Sequence, residues 1–237
     1  MTWPCAPWPC DLLIMSVARL SDGVCVAALT EDNQWVRPTR EEPSDWRQLK
    51  IADLQDSRQR FVVQVGNLVR WPLGQHMPTD VHTEDYSVAD QPPVFIRRLD
   101  SAEFLRRCAQ VASSHLADFL CSPDRSLALV PPFRVDSLVF QAGGEGGLSA
   151  HIGFLHGPHR YFSVKDLAWR ALGRRLLTEA GDAEVVLSSY EFSRRERKTI
   201  RYLVIGRARE YRGQFWPLIV TVVTDPLNDE PLDYTRT

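Results

Sequence analysis

The stretch "DSLVFQAGGEGGLSAHIGFL", residues 136–155, places two apolar runs on either side of a glycine-rich segment. Apolar runs bounded in this way predict two strands joined by a hairpin. A third run, "RYFSV", follows, and helical spacing predicts a helix from Asp166 to Ala180 with Gly181 as its stop. "AEVVLSSYEF", "TIRYLVIGRARE" and "QFWPLIVTVVT" predict three more strands. The order is therefore β-β-β-α-β-β with one further strand.

That order is the element order of an OB barrel, in which a helix lies between strands three and four. The first half fits it more loosely, with "DLLIMSVA", "VCVAALT", "QWVRPTR", a short helix at 43–55 and "RFVVQVGNLVRW". Residues 72–93 are interpreted as a long connection. The predicted fold is mostly β with a few helices, built as two tandem OB-like β-barrels. The first, 1–130, has an N-terminal arm and a connecting helix near 101–120; the second, 131–237, ends in an acidic tail.

Four motifs carry a resemblance to a known family: "GVCVAAL", "NQWVRPTR", "HTEDY" and "SLALVPP". In this order they resemble the bacterial dual OB-containing domain family, over roughly residues 10–225. The resemblance implies two OB barrels but no settled activity, so it transfers no catalytic residues. The sequence departs from the family at Ala28 and Leu29, where the motif usually ends in glycine, so the following loop is expected to differ.

The bulk composition is that of an ordinary soluble globular protein, with 44% hydrophobic and 24% charged residues. No apolar run is long enough for a transmembrane helix. The N-terminus lacks the basic region of a signal peptide. These features predict a cytoplasmic protein with no membrane partner.

Five cysteines lie at positions 5, 10, 25, 108 and 121, without a spacing diagnostic of a metal site. "WPCAPWPC" makes Cys5 and Cys10 the candidate ligands for zinc or an iron–sulfur cluster. The alternative is an irregular arm held by its prolines, and on that interpretation no cofactor is predicted.

The second half contains a strongly basic run in a chain whose net charge is only -2. Between residues 194 and 212, eight Arg or Lys stand against Glu196 and Glu210. If "SYEF" and "TIRYLVIG" are paired strands, "SRRERK" is the loop between strands four and five, one of the two loops with which OB folds hold oligonucleotides. The alternative is a solvated face. The predicted nucleic-acid-binding residues here are Arg194, Arg195, Arg197, Lys198, Arg201, Tyr202, Arg207 and Arg209.

"QWVRPTR" is a second candidate contact in the first barrel. Arg37 and Arg40 flank a proline-stiffened strand, and Trp35 can stack on a base. The alternative is a core tryptophan beside exposed arginines.

These patterns predict a non-catalytic protein that binds single-stranded DNA or RNA along a basic β-hairpin. If about six phosphates are neutralised, log K should fall with log salt at a slope of roughly -4. One rival is a regulatory module that binds a protein partner, such as a co-encoded effector. The other is a metal-dependent nuclease using His82, Glu84 and Asp85, the residue types of an acid–base or metal site.

Overall fold

The structure is a computed structural model. It describes residues 8–20, 23–40, 48–79, 82–113, 116–121, 125–132, 134–144, 147–154, 161–211 and 214–234. The contacts divide the chain into two compact units. Unit 1 is Met1–Val111 with Cys121–Leu127, and unit 2 is Ala112–Leu120 with Ala128–Thr237. The division into barrels at residue 130 stays a prediction.

The chain is mostly β with a few helices. Its first elements are β1 Trp8–Arg19, β2 Val24–Leu29, β3 Trp35–Thr39, a 3-10 helix Ile51–Leu54, β4 Asn67–His76, β5 Asp85–Val88, β6 Val94–Arg98 and α1 Ser101–Val111. Next come α2 Leu116–Cys121, β7 Leu127–Val130, β8 Val135–Ala142, β9 Leu148–Phe154, β10 Tyr161–Ser163 and α3 Leu167–Ala180. The last elements are β11 Glu184–Ser188, α4 Ser189–Glu196, β12 Thr199–Tyr211 and β13 Gln214–Asp225.

Unit 1 contains a closed five-stranded barrel in the order β1-β2-β3-β5-β4, and β1 also pairs with β4 to close it. One half of β1 pairs with β4 and the other half with β2, with a register shift between Ile14 and Ser16. Strands β3 and β5 run parallel, with Arg37 opposite Asp85. The other barrel pairs are antiparallel. This closure confirms the OB-like prediction for the first half.

Unit 2 has a sheet in the order β10-β9-β8-β11 and a second sheet in the order β13-β12-β7. An isolated parallel bridge from Val164 to Ile219 joins the end of β10 to β13. By analogy with the parallel β3–β5 pair, β13 is the fifth OB strand, and β11 and β12 together take the place of the fourth. Strand β11 pairs with β8, whereas β12 pairs with β13.

Helix α3 confirms the predicted helix and both of its ends. The Asp166 carboxylate accepts hydrogen bonds from the N–H groups of Ala168 and Trp169, as an N-cap does. Its other oxygen accepts from Val222 N at 2.9 Å, which ties the helix start to β13. Burial raises the pKa of this carboxyl to about 6, although the three N–H donors act in the opposite direction. Gly181 ends the helix at a φ of 70°, which glycine adopts without strain.

Three element predictions are wrong, and the first is the single helix at 101–120. Helix α1 ends at Val111 and α2 begins at Leu116. Ser113 N donates to Leu129 O at 2.7 Å, so the backbone between the helices bonds to β7 instead of continuing the helix.

The second error is the long connection at 72–93, which contains the end of β4 and all of β5. Trp71 and Leu73 are buried on alternate positions, the period of a strand, and this alternation continues the sheet through Pro72.

The third error is the basic hairpin. "SYEF" begins α4 instead of extending β11, and the strands on either side of α4 pair with different partners. The residues between β12 and β13, the fourth and fifth OB strands by this assignment, are 212–213, which lie outside the described residues. No helix within the described ranges has both the length and the apolar character needed to cross a bilayer.

Candidate nucleic-acid interface

Helix α4 carries the first part of the basic run, and local chemistry explains why it forms. Ser188 is the N-cap: its hydroxyl accepts from Glu191 N at 3.2 Å, and Ser188 N donates to Glu191 Oε2 at 2.8 Å. This reciprocal pair is a capping box, which satisfies two N–H groups at a helix start. The helix ends at Arg197, whose φ of 53° is left-handed. The "SSYE" sequence therefore starts a helix at the point where the hairpin was predicted.

Packing divides α4 into a buried face and an outward face. Phe192 is 1% exposed and its ring lies 5.2 Å from that of Trp169 in the unit 2 core. Tyr190 and Arg194, four residues apart, lie on the opposite face, and Arg197 follows just past the helix end, where its left-handed backbone departs from the helical spacing. Tyr190 is 72% exposed, and both arginines are exposed. Side chains four apart on a helix are neighbours, so a ring and a cation lie together on the solvent side.

Arg195 of α4 and Arg175 of α3 belong to an ion-pair network that joins the two helices. Arg175 contacts Glu196 at 2.5 Å, Glu230 at 2.8 Å and Glu179 at 2.9 Å. Arg195 contacts Glu179 at 2.7 Å. Hydrogen bonds from Arg175 and Arg195 hold the pKa of Glu179 below its usual value. Arg195 is therefore largely neutralised, whereas Arg194 and Arg197 form no ion pair with another described residue.

The acidic tail supplies further partners to the basic region. Lys198 Nζ lies 2.5 Å from Asp229 Oδ1, and its side chain is only 13% exposed. Arg174 Nε lies 2.5 Å from Asp233 Oδ2. The charge segregation seen in the sequence is therefore partly cancelled by direct contact between the basic and acidic segments.

Strand β12 carries the rest of the predicted interface. Arg201 is exposed and Tyr202 is half-buried. Arg207 donates to Phe119 O at 2.9 Å, and its guanidinium carbon lies 5.4 Å from the centre of the Phe119 ring, so it is held within unit 2. The side chain of Arg209 lies outside the described part of the chain. Arg201 is thus the β12 cation that the structure places in solvent.

The unit 1 candidates lie in a different environment. Arg37 makes a two-point ion pair with Asp85, with Nε–Oδ1 and Nη2–Oδ2 distances of 2.6 and 2.9 Å. The Arg37 side chain is 15% exposed and that of Asp85 is 2% exposed. Arg40 contacts Asp53 and lies 3.0 Å from Asp90. Trp35 is half-buried. Arg37 therefore serves the barrel, contrary to the solvent-facing position that phosphate contact requires.

The acid–base candidates do not converge on one site. Asp85 bonds to Arg37, whereas the buried Glu84 carboxylate accepts from Ser126 N at 2.8 Å and Ser126 Oγ at 2.7 Å. In the part of the chain that the structure describes, no three His, Cys, Asp or Glu side chains form a group suited to a metal ion. Cys5 lies outside the described residues and Cys10 is half-buried in β1, so the cysteine site stays a prediction.

Sequence reasoning missed an exposed ring on the outer face of β9 and β10. Tyr161 is 60% exposed, and a Cβ added at Gly153 would lie 2.9 Å from its Cε1 atom, so the ring covers the glycine. His151 lies opposite Ser163 on the same two strands, and burial with nearby Lys165 lowers its pKa. The period-2 pattern of "LSAHIGF" was the available signal, but the fold was needed to identify the solvent side.

Of the comparisons with known proteins, the family match agrees with the barrel topology. The family model described as "Dual OB-containing domain" matches residues 10–188. A comparison with curated proteins finds no match. A solved structure, the crystal structure of the tetrameric p202 HIN2, is 11% identical and aligns over 92% of this chain and 90% of that chain, with a TM-score of 0.31. A TM-score this low does not establish a shared fold.

Proposed function

The chain belongs to the dual OB-containing domain family, and from that premise we propose that it binds single-stranded nucleic acid through unit 2. The contact surface, which we call the α4 surface, comprises Tyr190, Arg194, Arg197 and Arg201. One observation carries the proposal: the exposed Tyr190 and Arg194 are one helical turn apart on the outward face of α4, and neither Arg194 nor Arg197 forms an ion pair with another described residue.

The chemistry of the α4 surface suits a flexible polyanion. Guanidinium groups bind phosphate oxygens through two-point hydrogen bonds, and an exposed ring stacks on any base. Tyr190 and Arg194 are separated by one helical turn, so a base and a neighbouring phosphate can be contacted together. A duplex hides its bases within the stack, which favours a single strand.

The OB topology adds support from the adjacent sheet. OB folds bind oligonucleotides on the face of their second and third strands, which are β9 and β10 in unit 2. Tyr161 offers a second stacking ring on that face.

The structure lowers the expected salt dependence. Arg194, Arg197 and Arg201 are the cations of the α4 surface, whereas Arg195 and Lys198 are already paired with acids. Three neutralised phosphates on a single strand correspond to a slope of about -2 for log K against log salt. This value replaces the slope of roughly -4 expected from sequence composition.

The test is fluorescence anisotropy with labelled oligothymidylate, oligouridylate and a DNA duplex, at several salt concentrations. The variant combines Arg194→Ala with Arg197→Asn, because asparagine tolerates the left-handed backbone at position 197. The matched control removes two exposed arginines of unit 1, Arg58→Ala and Arg106→Ala. We expect the α4 variant to lose tenfold or more in affinity, and the control to match the wild type. Equal affinities for both variants would refute the α4 surface as the contact.

A second candidate function, binding of a protein partner, is favoured by strand β6. All five of its residues are exposed, including Val94 at 57%, Phe95 at 41% and Ile96 at 37%, and within the described ranges it pairs only with β4. Such an edge can accept an extended apolar peptide as an added strand. Phe95→Lys should abolish co-purification of such a partner without changing nucleic-acid affinity, and an unchanged partner yield would refute this candidate.

A further inference from the structure

The acidic tail, residues 228–233, is held against unit 2 at both ends. Leu227 is 9% exposed and Asp233 is 7% exposed. Asp233 N donates to Leu167 O at 3.2 Å, and the Asp233 carboxylate bonds to Arg174. The segment between these anchors contains neither helix nor strand. Its position is therefore set by side-chain contacts and the two anchors.

Two tail carboxylates between the anchors reach cations next to the α4 surface. Asp229 contacts Lys198, the residue after Arg197, and Glu230 contacts Arg175. The Asp229 side chain is 81% exposed, so its ion pair with Lys198 lies at the solvent boundary. Lys198 is only 13% exposed, but its carboxylate partner remains in contact with water, so salt screens the pair. A phosphate can therefore replace the carboxylate at little cost.

We infer that the acidic tail is a built-in competitor: Asp229 occupies Lys198 in place of a nucleic-acid phosphate, and Glu230 adds one of the three carboxylates that surround Arg175. The inference rests on the proposed function, because it names a regulator of the same surface. The tail carboxylates imitate the charge of a phosphate chain, and they lie beside the cations at an effective concentration set by the covalent link. A nucleic acid that extends past Arg197 must displace Asp229 to reach Lys198. The tail thus lowers the affinity of unit 2 for single-stranded nucleic acid and reduces the number of nucleotides that unit 2 contacts.

The test substitutes the two exchangeable carboxylates and leaves both anchors in place. Asp229→Asn with Glu230→Gln removes two negative charges while keeping side-chain size. The matched control, Asp136→Asn with Asp182→Asn, removes two exposed carboxylates elsewhere in unit 2. Both proteins thus change net charge equally, and thermal unfolding verifies that both remain folded.

Anisotropy with labelled oligothymidylate should show about fivefold tighter binding for the tail variant than for the control, because Lys198 is released and Arg175 loses one of its three carboxylate partners. Its salt slope should also become more negative by about 1, because one or two more phosphates are neutralised. A double-mutant cycle, with Lys198→Ala made in both the wild type and the tail variant, distinguishes competition at Lys198 from a general effect of net charge. In the wild type that substitution should change affinity less than twofold, because Asp229 already occupies the lysine. In the tail variant it should reverse most of the gain.

Each outcome decides between the two proposals. If the wild type binds and the tail variant equals the control, the competitor is refuted and the proposed function stands. If only the tail variant binds, the tail blocks the surface completely and both proposals are supported. If no protein binds any probe, both are refuted. An equal effect of Lys198→Ala in both backgrounds would also exclude competition at that lysine.

Discussion

Replacing Arg37 tests whether this arginine stabilises the unit 1 barrel or contacts a ligand. Arg37→Met keeps the apolar stem and removes the guanidinium, which donates two hydrogen bonds to Asp85. The Asp85 side chain is 2% exposed, so in this variant the Asp85 carboxylate is buried without its counterion. Removing one partner of a buried pair typically costs about 3–5 kcal/mol. We expect a loss of this size in the free energy of unfolding of unit 1.

The assay is urea-induced unfolding followed by circular dichroism, with a separate transition allowed for each unit. Arg70→Met is the comparison, because the Arg70 side chain is 55% exposed and that of its ion-pair partner, Asp11, is 38% exposed. A pair this exposed contributes little to stability. The double variant Arg37→Met with Asp85→Asn should recover part of the loss, since no buried charge then lacks its counterion.

A free energy of unfolding for Arg37→Met within about 1 kcal/mol of the wild-type value would contradict a structural role for Arg37, since breaking a buried pair costs more than that. A double variant less stable than Arg37→Met alone would contradict it as well. Nucleic-acid affinity supplies an independent check. Under conditions where Arg37→Met is folded, its affinity for oligothymidylate should match that of the wild type, because the guanidinium faces Asp85. A large loss of affinity in the folded variant would restore Arg37 to the binding surface.

Ser188→Ala should remove the N-cap of α4 at a cost of about 1 kcal/mol in stability. It should also weaken oligothymidylate binding, because the helix that carries Tyr190 becomes less stable. Backbone amides of α4 that exchange with solvent as slowly as in the wild type would contradict this. Cys108 is fully buried, and burial raises its pKa to about 12. At pH 8 the Cys108 thiol should resist alkylation until denaturant is added, whereas the half-buried Cys10 should react before it. Peptide mass spectrometry distinguishes the two cysteines. Modification of Cys108 before that of Cys10 would show that this part of α1 opens readily.

Local patterns were sufficient for much of the strand order and for the ends of α3. Strands and helices differ in the period of their hydrophobic residues, so the sequence distinguishes them. Single residues mark the two ends of α3: the Asp166 carboxylate caps its start, and Gly181 adopts the left-handed backbone at its end. The α4 helix was also readable in principle, because Ser188 and Glu191 have the spacing of a capping box. It was missed because "SYEF" was interpreted as the end of a strand and "SRRERK" as the loop that follows it.

Sequence by itself determined that unit 2 carries a dense group of cations and that an acidic tail follows it. Only the tertiary structure decided which cations face solvent. Lys198 meets Asp229, and Arg195 meets Glu179, through pairs 31 and 16 residues apart. Arg37 is held in the barrel by its ion pair with Asp85, 48 residues away along the chain. Charge is a property of each residue, whereas the cancellation of charge depends on distances that exist only after the chain has folded.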